Sequence, residues 1–355
     1  MSASLSSRPV LPTGDCRVTA LGTGRPFSRL AQANSGWLIE LGNGDVFVFD
    51  FGFGSFQRFA ALELPLSSIT GLVATHMHTD HVGDFAAYWL AARIGGRLEP
   101  LDYFGPSGDI PEHGFAHFAH HQMLSYQWDT ASRLGLLPSI GATNRVHQFD
   151  WTSREPFYDS NGVVIRSFPA IHIHDGAVGL VLEWNGFKIV YSGDTAPSRI
   201  LVSEASDADL VIHESANTTN QMIQRSGYSS SLAKKVGGAS HTQPDELGGI
   251  FDLVSPRLAI AFHFNNDIQT SQEISDKIRR RYHGPLLLAQ DLVTAHISTS
   301  AVEFAQTVVS DHTWPNISRH EDFWTADRGV ADPLAPWLEQ ERITFNTERE
   351  MKEPR

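Results

Sequence analysis

The sequence predicts a layered α/β sandwich, on two observations. Short β-branched strands alternate with helical stretches along the chain, and they fall into two β-rich halves with helices to pack outside them. Arg17–Leu21 reads as a first strand that ends in the turn Gly22-Thr23-Gly24. Trp37–Leu41 and Val46–Phe49 flank Gly42-Asn43-Gly44-Asp45, a strong hairpin signal. Gly71–Thr75 reads as a buried strand and Asp84–Arg93 as a helix. Residues 100–150 are rich in Phe, His and Trp, and Glu112–Trp128 makes that stretch read as a helical insertion. Strands resume at Val163–Phe168, Gly179–Glu183, Lys188–Tyr191, Leu210–Ile212 and Leu258–Ala261, with a hairpin turn at Trp184-Asn185-Gly186. Helical patterns cover Ser198–Ala205 and Pro244–Leu253. Residues 1–300 are expected to form one domain and 301–355 a C-terminal extension, whose last stretch, Glu339–Arg355, has the dense alternating charge of a solvated helix or tail.

Composition narrows the chemistry. At 355 residues and 41% hydrophobic the chain can bury a sizeable core. Its 27 Lys and Arg against 40 Asp and Glu give a net charge of −13, which disfavours a general nucleic-acid binder. A single cysteine, Cys16, excludes a disulfide framework and any multi-thiolate metal site, so a metal here needs imidazole and carboxylate ligands, and there are 17 histidines to choose from. The N-terminus lacks the apolar segment of a secretory signal and no run of 18 apolar residues occurs, so a cytoplasmic protein without membrane contact is expected.

The sharpest signal is His76-Met77-His78-Thr79-Asp80-His81, directly after a strand. In an extended chain His76 and His78 point the same way and can share a metal, while Asp80 and His81 diverge toward a second one. Two neighbouring metals suit hydrolysis, because together they ionise a water and clamp the reacting oxygens. This H-x-H-x-D-H resembles that of the metallo-β-lactamase superfamily of hydrolases. Leu21-Gly22-Thr23-Gly24 and Phe49-Asp50-Phe51-Gly52 are similar to the N-terminal strands of its branch with ribonuclease Z, arylsulfatase-like and phosphodiesterase members. Phe168-Pro169-Ala170-Ile171-His172, Tyr191-Ser192-Gly193-Asp194-Thr195 and Ala261-Phe262-His263-Phe264 resemble, in order, the segments that carry its remaining ligands.

That resemblance implies the four-layer αββα sandwich of the superfamily and a dinuclear metal-dependent hydrolase working through a bridging hydroxide. It implies that one metal takes His76, His78 and His172, that a second takes Asp80, His81 and His263, and that Asp194 bridges them. Two zinc ions suit this ligand set, with manganese or iron as alternatives. His172 and His174 are two apart and would share one side of a strand, so spacing leaves His174 as an alternative to His172. Asp194 as a turn residue and His263 as a core histidine are the plainer readings of those two positions. His213-Glu214-Ser215 and Ser240-His241-Thr242 resemble the branch's proton-transfer motifs, which would make His241 the acid for the leaving group and Glu214 its orienting partner, with Asp80 alongside them in the catalytic group. Alternatively His241 caps the helix near Pro244. Asp50 reads equally as a support for a ligand or as a strand-end turn residue.

Three features point away from the ribonuclease Z pattern. Phe51-Gly52-Phe53-Gly54 stands where that family has Cys-Gly and an acidic residue, the 100–150 stretch lacks the basic, Gly-rich character of a tRNA-gripping arm, and the net charge is negative. A small organic substrate, cut at an ester, lactone, amide or phosphodiester bond, is therefore expected, with nucleic acid disfavoured as a partner and a homodimer allowed by the resemblance. The alternatives are a tRNA 3′-processing endoribonuclease and an iron-dependent oxidoreductase on the same fold. His113, His117 and His121 at i, i+4, i+8, with His120 beside them, admit a lid helix, a pocket lining or an extra metal site.

Overall fold

The computed structural model describes residues 9–27, 29–317 and 319–343. Of the expected terminal tail Glu339–Arg355, residues 344–355 lie outside the described residues. Two mixed sheets face each other. The first is built from β1 (Cys16–Gly22), β2 (Gly36–Leu41), β3 (Val46–Phe51), β4 (Gly71–Val73), β5 (Leu101–Pro106) and β6 (Asn144–Phe149). The second takes the next seven strands: β7 (Pro156–Ser160), β8 (Val163–Pro169), β9 (Val178–Trp184), β10 (Phe187–Tyr191), β11 (Leu210–Glu214), β12 (Leu258–Phe262) and β13 (Leu286–Leu288). The chain then returns to the first sheet with β14 (Val293–Ile297) and β15 (Val302–Gln306), giving the orders β15-β14-β1-β2-β3-β4-β5-β6 and β13-β12-β11-β10-β9-β8-β7.

Side-chain alternation explains the layering. Phe47 and Phe49 of β3, Leu180 and Leu182 of β9 and Ile212 of β11 project into the core between the sheets, where Trp37 meets Phe262 edge to face at 5.6 Å. The residues between them point outward: Val48 and Phe51 pack under the helices Ser55–Ala61 and Phe85–Ile94, and Val211 and Ala259 under Pro244–Val254 and Ile268–Ile278. Helix, sheet, sheet and helix make the αββα sandwich. The central strands are buried on both faces and so read as apolar runs. Cys16 lies in this core, where burial and then the nearby Asp209 and Asp15 push its thiol pKa up to about 12.

The stretch 100–150 differs in detail from the helical insertion expected of it. Its ends are the strands β5 and β6, paired in parallel, and helix occupies only Phe115–Ser125 and Gln127–Ser132. Leu101–Pro106 is buried at every position but Asp102, so no polar–apolar alternation marks it as a strand. His113 ends a separate 3-10 turn, Pro111–His113, so the i, i+4, i+8 series is broken after its first member. Residues past 300 supply β15, and they meet the body again where Gly135 donates to the Arg328 carbonyl at 2.7 Å.

Candidate metal centre

The parallel strands β3 and β4 of one sheet, and β10, β11 and β12 of the other, deliver their C-terminal ends to one edge of the sandwich, the place where open α/β sheets present chemistry. His76 and His78 lie in the loop after β4, and Asp80 and His81 lie in the single helical turn Thr79–Val82. Asp194 follows β10, Glu214 ends β11, and His263 follows β12 with a left-handed φ of 68°. Gly193 has to be glycine: its φ is +57°, and a Cβ there would meet the Val178 carbonyl oxygen at 2.7 Å.

These side chains converge in two groups that share Asp194. His76, His78 and His172 form the first, with His76 Nε2 and His172 Nε2 at 2.9 and 3.3 Å from His78 Nδ1. Asp80, His81 and His263 form the second, with His263 Nε2 at 3.3 Å from Asp80 and 3.4 Å from Asp194. Either group could hold a metal ion. His172 therefore sits with His76 and His78, whereas His174 is exposed and faces Asp109 and His113. The expectation that both lie on one face of a strand fails because β8 ends at Pro169, so the strand period no longer applies at 172–174.

The donor set fits a divalent cation. Asp80 Oδ1, His81 Nε2 and Asp194 Oδ1 are buried without hydrogen-bond partners, a costly arrangement unless something positive lies between them. The far side of each ring is fixed. His81 Nδ1–H donates to Asp50 at 2.6 Å, and His172 Nδ1–H donates to the Ser240 carbonyl at 2.8 Å, which leaves each Nε2 lone pair facing inward. Burial lowers the pKa of His76, His78 and His172 and favours the neutral, ligating imidazole. Burial acts the same way on His81, but Asp194, Asp50 and Asp80 outweigh it and hold its pKa well above the usual value, so this pocket demands positive charge. Asp194 stays ionised well below the carboxylate range: burial opposes this, and His263 and His81 overcome it.

Sequence reasoning left Asp50 undecided and missed its partners. Asp50, at a left-handed φ of 53°, accepts from His81, from the Thr75 amide and hydroxyl, and from the Tyr191 hydroxyl at 2.7 Å. Its position at a strand end just before the histidine cluster was the available signal. His241 Nδ1–H donates to Glu214 Oε1 at 2.9 Å, and Glu214 also accepts from the Thr195 and Thr242 amides. The helix at Pro244 is instead capped by Gln243 with Glu246, so His241 does not cap it. Burial opposes protonation of His241, yet Glu214 raises its pKa above the ordinary value. His213 turns away, donating to the Glu214 carbonyl at 2.7 Å beside Phe251.

A sequence profile described as the metallo-beta-lactamase superfamily matches residues 30–228. The chain belongs to the metallo-beta-lactamase superfamily. Ribonuclease Z of Mycolicibacterium paratuberculosis is 30% identical over 201 residues, which cover 55% of this chain and 69% of that protein. Ribonuclease Z of Mycobacterium tuberculosis is 29% identical over 199 residues, 55% of this chain and 68% of that one. Among solved structures, the metallo-beta-lactamase fold protein YhfI from Bacillus subtilis aligns with a TM-score of 0.61 at 16% identity, over 80% of this chain and all of that one. Human tRNase Z, short form, aligns at 0.56 and 20% identity, over 79% and 98%. These likenesses share the fold, and the sequence relatives fit the branch that the motifs indicate. This superfamily member is a metal-dependent hydrolase. The relatives correct one expectation: nucleic acid cannot be set aside as a partner when the sequence relatives are ribonucleases. The net charge misled because it sums the whole surface, whereas a phosphate backbone meets the local field around the site.

No helix among the described residues is long and apolar enough to cross a membrane.

Proposed function

We propose that this chain is a dinuclear, zinc-dependent phosphodiesterase that cuts RNA, of the tRNA 3′-processing kind. The observation that carries the substrate class is the match to ribonuclease Z proteins across two thirds of their length. In this reading residues 1–300 are the hydrolase domain and 301–355 its extension. His76, His78 and His172 would hold one zinc ion and Asp80, His81 and His263 the other, with Asp194 within reach of both groups. Bound there, the metals supply an ionised water at neutral pH and neutralise charge on the phosphate.

The chain's own residues do the rest. Asp50 and Ser240 fix the rings of His81 and His172, so ligand geometry is set before substrate arrives. His241 carries a proton on Nε2 and gives it to the departing ribose oxygen, while Glu214 holds the ring by Nδ1 and stabilises the imidazolium. A cleft of about 510 Å³ opens beside His76, His78 and His172, where the scissile phosphate would enter. Tyr126 and Trp128, exposed just after the helix Phe115–Ser125, would offer aromatic faces to unpaired bases.

The test is incubation of the purified protein with a 3′-extended precursor tRNA and zinc. Cleavage at the extension that EDTA abolishes is expected. Intact RNA alongside hydrolysis of bis(p-nitrophenyl) phosphate would overturn the RNA reading, and failure on both substrates would overturn phosphodiester hydrolysis itself.

A further inference from the structure

The cleft has a second cluster of metal-competent side chains at its rim. Asp109, His113 and His174 come together there, from the loop after β5, the 3-10 turn Pro111–His113 and the loop between β8 and β9. His113 Nδ1 lies 2.8 Å from Asp109 Oδ1, His174 Nε2 lies 3.1 Å from the same oxygen, and the two nitrogens are 3.0 Å apart. We propose that Asp109, His113 and His174 form a third divalent-metal site, separate from the two inner groups and suited to zinc.

Hydrogen bonding does not account for this triangle. If both imidazoles donate to Asp109, the two nitrogens face each other at 3.0 Å with no proton between them. If one donates to the other, one contact with the carboxylate is left without a donor. A single cation satisfies all three contacts at once. Ligands about 2.0–2.1 Å from a tetrahedral zinc lie roughly 3.3 Å from one another, close to the separations here. The backbone is shaped for the meeting. Gly176, at φ +108°, packs so tightly on the facing loop that a Cβ would meet Gly108 Cα at 2.8 Å, which brings His174 against Asp109.

Three protein donors leave at least one position for water or an anionic oxygen of a substrate, as open zinc sites do. His174 and His172 share one short loop, and both line the cleft. A metal at the rim therefore fastens the segment leading into helix Phe115–Ser125 to the loop that carries His172.

The experiment is zinc content by elemental analysis after dialysis against a zinc-buffered solution, for the wild type, Asp109→Asn and a His113→Ala/His174→Ala double variant. The wild type should hold one zinc more than either variant. Because the readout is that difference, it tests the rim site whatever the inner groups hold. Equal zinc content in all three proteins would overturn the proposal. So would loss of more than one equivalent in the near-isosteric Asp109→Asn, since the residue would then act on the inner groups and not on a site of its own.

Discussion

The buried group of Asp80, His81, Asp194 and His263 and the rim triad use the same side-chain chemistry in opposite surroundings. Asp80, His81, Asp194 and His263 are almost wholly removed from water, whereas Asp109, His113 and His174 are exposed. Burial leaves carboxylate and imidazole atoms without partners and makes an unfilled site costly, while at the rim water can take the place of a missing ligand. Support differs too. Asp50 grips His81 from behind and Glu214 grips His241, but among the described contacts the rim histidines meet only each other, Asp109 and their own loops. Fixed geometry lies inside and adjustable geometry outside.

Four variants test that contrast. The largest effect is expected from Asp194→Ala, which removes a side chain common to both inner groups: zinc content should fall at both, and hydrolysis should drop further than in any other single variant. Retention of both inner equivalents would show that Asp194 is not shared. His241→Ala should slow turnover by roughly 10²–10⁴-fold while leaving bound metal unchanged, the pattern of a lost proton donor. The pH dependence gives the sign. A proton donor must be protonated, so activity falls as pH rises through the raised pKa of His241. Glu214→Gln removes the charge that raises it and should move that alkaline limb to lower pH. A limb that stays in place would assign it to another group. A smaller loss of metal binding is expected from Asp50→Asn, which keeps the shape but weakens the grip on His81 and should cost roughly 10–100-fold in metal affinity, measured by competition with a chelator.

Much of the sandwich was legible because its central strands are buried on both faces and read as apolar runs, as in Leu258–Phe262, or sit beside glycine turns, as at Asn185-Gly186. Edge strands were harder. Pro156–Ser160 and Val302–Gln306 are largely exposed, and little in their residues separates them from loops. The His76–His81 cluster could be read directly because its donors are neighbours in sequence. Asp109 could not, since 65 residues separate it from His174 and no local pattern joins them.

By itself, then, the sequence determined which side chains are available for chemistry and that strand ends present them, because these depend on local spacing and on the period of buried residues. The tertiary structure set His172 beside His76 and His78 and His174 beside Asp109, placed Asp50 against His81, and brought Asp109 to the rim. Each of those outcomes depends on where a loop turns after its strand has ended, and that is set by packing between segments distant in the chain.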